Sequence, residues 1–245
     1  MFKQVILSLL VSTVCLAQDA VKPTSFVDHI SVNEAFTMVK YKGDGDTLVQ
    51  FLQGVDYKIC DSLTANLEVP VYFEDTTNLG AINLNLTWSA LNNNTLALDL
   101  IVGVASPMET EFGASDVDPS LGGVFTYNLP WAGVVFEQTF NYEFVTGDAY
   151  SLAFGSKVSD DIITADSSLI CPLGDSFKFG ATVWQNYTVA TNGADGETNV
   201  LAGPNAVWNI GQNVELGASF AIPVSQNVSG VEQDYVLSTN LGIKF

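Results

Sequence analysis

Apolar and polar residues alternate with a period of two along most of the chain, the pattern of β-strands with one apolar and one polar face. In 63–74, Leu63, Ala65, Leu67, Val69, Val71 and Phe73 share one face, and Thr64, Asn66, Glu68 and Glu74 share the other. In 81–91 the apolar face is Ile82, Leu84, Leu86 and Trp88, against Asn83, Asn85, Thr87 and Ser89. In 133–145, Val134, Phe136, Phe140, Tyr142 and Phe144 oppose Glu137, Thr139, Asn141 and Glu143. In 234–245, Tyr235, Leu237, Leu241, Ile243 and Phe245 oppose Ser238, Asn240 and Lys244. Extended over the whole chain, the pattern predicts twelve strands: 30–41, 47–59, 63–74, 81–91, 95–106, 118–129, 133–145, 162–171, 176–189, 199–210, 214–225 and 234–245.

These segments exceed the mean soluble strand of about 5–6 residues and match the ~9–11 residues that a tilted strand needs to cross a bilayer. Short polar turns, such as Cys60-Asp61-Ser62, Asn92-Asn93-Asn94 and Gly211-Gln212-Asn213, alternate with longer connections at 75–80, 107–117, 190–198 and 226–233. That alternation is expected when turns face a periplasm and loops face outside. An even strand count then puts both termini on the turn side. Residues 146–161 are expected to be an outer loop, although Tyr150 to Phe154 also alternates.

Composition narrows the class. The 245 residues are 47% hydrophobic and only 14% charged, where a soluble protein carries about 25%. Beyond the N-terminal segment no run of apolar residues is long enough for a membrane helix. Two arrangements remain, a β-sandwich and a barrel whose apolar face meets lipid. Long even strands favour the barrel, as do aromatics near predicted strand ends (Tyr41, Tyr57, Phe73, Tyr127, Trp131, Phe144, Phe177, Tyr187, Trp208, Tyr235). The last residue, Phe245, closes an alternating strand and resembles the membrane-insertion signature of outer-membrane barrels. The expected fold is all-β: a single closed antiparallel transmembrane β-barrel of about 12 strands with a C-terminal Phe.

The N-terminal segment reads as a cleaved signal peptide over 1–17, with Lys3 ahead of the apolar core Val5 to Leu16 and Ala17 at the cleavage site. Cys15 follows Val14, where a lipidation signal wants a small residue. Residues 18–29 are expected to be a periplasmic leader or small plug, and 30–245 the outer-membrane barrel. Cys60 and Cys171 fall on opposite sides of that barrel, too far apart to bridge.

The segments LEVPVYFED, LIVGVASPMETEFG, DPSLGGVFTYNLP and FEQTFNYEF between Leu67 and Phe144, with the closing LAGPNAVWNIGQNVELGASFAIPVSQN and YVLSTNLGIKF, carry a family pattern. They resemble the outer-membrane transporter family associated with the meta-pathway of phenol degradation. Ser106-Pro107-Met108 stands where that family has a Pro-Thr-Gly-like turn. The resemblance implies a barrel that moves small molecules, aromatic or apolar ones among them; a fold-level likeness does not name a substrate.

Charge decides what the polar face can do. The net charge is −19, with eight lysines, no arginine and one histidine. Nucleic acid is excluded as a partner, because phosphate contacts need a basic surface. Turning each polar face inward gives the lumen-lining acids Glu68, Asp99, Glu137, Glu143 and Glu215, with Asp56, Glu74 and Asp166 beside them. The inward lysines Lys58, Lys178 and Lys244 all fall near the periplasmic mouth. An acidic lumen with a basic collar favours cationic or neutral solutes. The absence of arginine argues against a phosphate or sulfonate channel.

The expected function is passive passage of small solutes across the outer membrane of a Gram-negative bacterium, with a mild preference for cationic or neutral ones. Outer-membrane lipid, the solutes and the barrel-assembly machinery are the expected partners. The alternative is a non-conducting structural or adhesive barrel whose charges merely bond one another and water. A minor alternative, an outer-membrane lipase or esterase, would have to use His29, and no Gly-x-Ser-x-Gly elbow occurs. No enzyme activity, cofactor or metal is expected. The acid pairs Asp44/Asp46, Asp116/Asp118 and Asp195/Glu197 read as solvated turn residues rather than calcium ligands.

Overall fold

The fold is taken from a computed structural model, which describes residues 29–42, 47–73, 77–130, 133–189, 196–228 and 231–245. The expected signal peptide and nearly all of the expected leader, together with Glu74, lie outside these residues.

Twelve long strands carry the architecture: β1 (Ile30–Tyr41), β2 (Thr47–Cys60), β3 (Leu63–Phe73), β5 (Asn83–Asn92), β6 (Leu96–Ala105), β7 (Asp118–Asn128), β8 (Val135–Glu143), β11 (Asp161–Pro172), β12 (Phe177–Val189), β13 (Thr198–Ile210), β14 (Val214–Asn227) and β15 (Gln233–Lys244). Each pairs antiparallel with its neighbours in chain order, and β1 also pairs with β15, so the sheet closes on itself. Closure satisfies the backbone groups that an open edge would leave exposed, which a bilayer does not tolerate. The chain is therefore an all-β, closed antiparallel barrel, not two stacked sheets.

Three short strands lie outside this pattern. β4 (Thr77–Leu79) pairs antiparallel with the last residues of β3, Val71 to Phe73. β9 (Ala149–Ser151) and β10 (Ser156–Val158) form a separate hairpin inside the loop between β8 and β11. The alternation at Tyr150 to Phe154 thus belongs partly to this hairpin and adds no strand to the wall. The strand expected at 133–145 begins later, at Val135, because Gly133 takes the left-handed conformation (φ 64°) and belongs to the turn.

The apolar faces look outward. Leu84 is 50% exposed and Phe220 43%, and Leu67, Leu100, Leu121, Phe140 and Ile222 are exposed with them. A belt this extensive is a lipid-facing surface rather than that of a soluble monomer. Aromatics flank it. Tyr57, Phe177 and Trp208 are exposed near the turn end, and Phe73 and Phe144 near the loop end. Tyr41 departs from the expected girdle. Its position shares parity with Thr37 and Val39, so it points inward and is buried. On the outward face Glu34 stands opposite Gln53 of β2 and Leu241 of β15, between Val32 and Phe36.

Candidate functional site: the lumen and its closed end

Inward positions follow from the same parity. Asp56 on β2 accepts hydrogen bonds from Ser31 Oγ at 3.1 Å, from Asn33 Nδ2 and from Asn66 Nδ2 at 2.7 Å. Asn85 Nδ2 in turn donates to Asn66 Oδ1 at 3.1 Å. The chain spans β1, β2, β3 and β5 along the wall. A second one runs on the opposite side, where the Ser168 and Thr182 hydroxyls lie 2.7 Å apart and Asn205 Nδ2 donates to Thr182 Oγ1 at 2.6 Å. These polar groups bond sideways rather than across the lumen.

Glycines let them lie flat. Asn33 faces Gly54 and Gly242 across its two strand partners; Asn85 faces Gly103, Asn141 faces Gly122, Asn205 faces Gly180 and Asn240 faces Gly217. A Cβ on Gly103 would collide with Asn85 Oδ1, and one on Gly217 with Asn240 Oδ1. Asn85, Asn205 and Asn240 take up the space above the glycines opposite them, which keeps the wall thin. Sequence reading missed this pairing because it depends on register between strands.

Among the described residues, Glu68, Asp99, Glu137, Glu143 and Glu215 share strand parity with these polar groups. Glu68 and Glu143 line one cavity of about 240 Å³, with Asn83, Asn85, Ser120, Thr139 and Asn141, and another of about 190 Å³ beside Gln50, Tyr72 and Phe112. Glu143 also borders a third, of about 360 Å³, so one carboxylate adjoins all three. Asp99 stands inward between Ser89 and Val124. Glu137 on β8 lies within electrostatic reach of Lys178 on β12 and Glu215 on β14. At the turn end, Lys58 pairs with Asp61 at 2.7 Å. The hydrogen bond and charge of Lys58 hold the exposed Asp61 carboxyl below its ordinary range. Lys244 ends β15, and its backbone N–H donates to Asn213 O. Phe245 follows it, exposed, with its N–H on Ile30 O.

The loop end is closed by side chains that no strand pattern marks. Phe112, from the loop between β6 and β7, stacks on the wall residue Tyr72 with ring centroids 4.8 Å apart. Tyr150 of the hairpin meets both edge-on, at 5.5 Å and 4.7 Å. Val39, Tyr41 and Leu48 complete this buried cluster. Phe154, Val158 and Ile162 form a second one. The loops are fastened to each other and to the wall. Lys157 Nζ donates to Thr110 O at 3.1 Å, and Thr146 donates from N and Oγ1 to the buried Asp118. Asn199 Nδ2 donates to Ala153 O at 2.6 Å and to Gln233 Oε1 at 2.9 Å, while Gln233 Nε2 donates to Leu152 O at 2.9 Å. Aromatic residues inside loops between glycines were the one available sequence signal.

His29 lies beside Tyr57, ring centroids 6.1 Å apart, at the turn end of the wall. Cys60 and Cys171 are free thiols on β2 and β11, which are six strand steps apart around the barrel. Among the described residues no group of three or more His, Cys, Asp or Glu side chains is placed to hold a metal.

No family model matches the chain, and no curated protein matches it. Solved structures do. An outer membrane channel from Pseudomonas putida F1 superposes with a TM-score of 0.65 at 11% identity, over 92% of this chain and all (100%) of that one. The NanC porin gives 0.57 at 10% identity, over 88% and 98%, and the KdgM porin 0.57 at 8%, over 88% and 99%. At these identities the likeness is one of fold, and the fold of this chain is the closed antiparallel barrel that those outer-membrane proteins share.

Proposed function

We propose that this protein is an outer-membrane channel through which small solutes pass passively, with a mild preference for cationic or neutral ones. The observation that carries the proposal is a polar interior inside an apolar belt, with Glu143 adjoining each of the three cavities described above. Carboxylates outnumber lysines along this interior, and the lysines gather at one mouth. A lumen of that sign attracts cations and repels anions. The outward belt and the aromatic girdles support residence in the outer membrane of a Gram-negative bacterium, with lipid and the barrel-assembly machinery as partners. The resemblance to the phenol-pathway transporter family agrees with small aromatic or apolar cargo.

The test is conductance of the purified barrel in a planar bilayer. Discrete single-channel currents with K⁺ favoured over Cl⁻ are expected. Silence in repeated reconstitutions, or Cl⁻ favoured, would contradict the proposal. A second reading, a non-conducting structural or adhesive barrel, draws on one observation: the cluster of Tyr72, Phe112 and Tyr150 closes the loop end. Conductance separates the two.

A further inference from the structure

The cavity of about 360 Å³ lies directly beneath the β9–β10 hairpin, which supplies part of its wall through Tyr150, Ser151, Leu152 and Ala153. Its volume falls in the range of small-molecule sites, about 300–1,000 Å³. Its chemistry is uneven. Val39, Ile162 and Leu201 give it an apolar side, and Trp184 stands in strand register with Leu201. Thr37, Thr164, Ser219 and Ser238 give it hydroxyls. Glu143 is the one carboxylate among its lining residues, and no lysine lines it. Among the described residues the Glu143 side chain has no hydrogen-bond or ion-pair partner, and the charge that acts on it is another acid, Asp118. A half-buried carboxylate without a cation, facing a chamber that also offers an indole face, is an incomplete site.

We infer that this cavity binds a small organic cation: a primary ammonium carried on an apolar body of about one ring. The ammonium supplies the charge and donors that Glu143 lacks, and the hydroxyls take its remaining N–H groups. Trp184 and the aliphatic side chains cover the ring. A neutral alcohol of the same shape keeps the packing but loses the charge pairing. A carboxylate of that shape meets Glu143 as a like charge and is rejected. The inference deepens the channel proposal, since it names the solute that lingers in the lumen. It is tested by binding, which does not require current to flow.

Trp184 makes the test direct. Trp88 and Trp208 stand on outward positions, opposite Leu100 and Phe177. Trp131 lies outside the described residues. The barrel in detergent micelles is titrated with phenethylammonium, 2-phenylethanol and phenylacetate while tryptophan emission is followed. The expected result is a saturable change with phenethylammonium, at least tenfold weaker binding of the alcohol, and none of the acid. In Trp184→Phe the saturable change disappears. In Glu143→Gln the ammonium binds no better than the alcohol. Equal affinity for ammonium and alcohol in the parent protein overturns the inference. So does an unchanged preference in Glu143→Gln, or a signal that survives in Trp184→Phe. Saturable binding by a barrel that carries no current sustains this inference and defeats the channel proposal; current without saturable binding does the reverse.

Discussion

Asn240 lies flat across Gly217 on the lumen wall, in the space a Cβ at position 217 would take. The same arrangement recurs where Asn85 covers Gly103 and Asn205 covers Gly180. An asparagine in this pose presents its edge to the lumen and not its length. Such a side chain takes less of the lumen than one standing upright.

That pose predicts a contrast between two glycines. At Gly217 the obstacle is the end of a side chain, which can swing away. Gly217→Ala is expected to fold almost normally, push Asn240 into the lumen and lower single-channel conductance. At Gly203 the obstacle is the Phe220 carbonyl, so the backbone must move. Gly203→Ala is expected to cost about 1–3 kcal/mol, the usual range for overpacking, read as a lower denaturant midpoint in micelles. Equal stability losses in the two variants would contradict this.

The hairpin is held to the wall by Asn199 and Gln233, whose side-chain amides reach the carbonyls of Ala153 and Leu152. Each such bond contributes about 0.5–1.5 kcal/mol net. Asn199→Ala combined with Gln233→Ala is expected to shift the balance toward an open loop end by roughly one to two orders of magnitude, since about 1.4 kcal/mol is a factor of ten. Longer open times and larger currents in planar bilayers would report it. Unchanged gating in the double variant would show that the hairpin does not limit passage.

The outward face makes its own demand. Phe220 is exposed midway along β14, opposite Leu237. Phe220→Lys there is expected to destabilise the barrel in lipid by about 2–4 kcal/mol, the range for a lysine at the bilayer midplane. Glu34 presents the opposite case, a carboxyl already on that face beside Val32, Phe36 and Leu241. Glu34→Leu is expected to stabilise the barrel, by less than the Phe220→Lys loss. Urea unfolding into phospholipid vesicles measures both.

At the turn end, Lys58 lowers the Asp61 carboxyl below its ordinary value. A carboxyl depressed in the folded state stabilises it above the unfolded pKa, and the gain fades as pH falls through the lower, folded one. The pair is expected to help folding near neutral pH, and the help should vanish once pH drops well below ~3.9, the ordinary Asp value. Asp61 is fully exposed, so the effect is small. Comparing the unfolding midpoint of Asp61→Asn with the parent across that range checks it: the two curves should converge at low pH.

How much of this could be read from the chain alone varies from part to part. Strand positions came through because a bilayer on one side and a polar lumen on the other impose strict alternation, as at Leu67 and Glu68. Parity then placed Glu143 on the inward side. It puts Tyr41 inward too, with Thr37 and Val39, but an aromatic ring at a strand end also fits a girdle, and in the sequence alone that reading takes precedence over parity. Parity could not show Phe112 and Tyr150 folding inward, because Phe112 lies in a loop without a period and the alternation at Tyr150 does not say against what the hairpin packs. The Asn–Gly pairs needed cross-strand register, which turn geometry sets and single-strand patterns do not reveal.

The side of each strand that meets lipid defines both the apolar belt and the lumen, and tryptophan reports it. Variants retaining only Trp88, Trp184 or Trp208 are reconstituted into bilayers whose acyl chains carry bromine. Trp88 and Trp208, on the outward face, should be strongly quenched, and Trp184, inside the barrel, should keep its emission. Quenching of Trp184 to the same degree, or protection of Trp88 and Trp208, would contradict the outward apolar face and the lumen together.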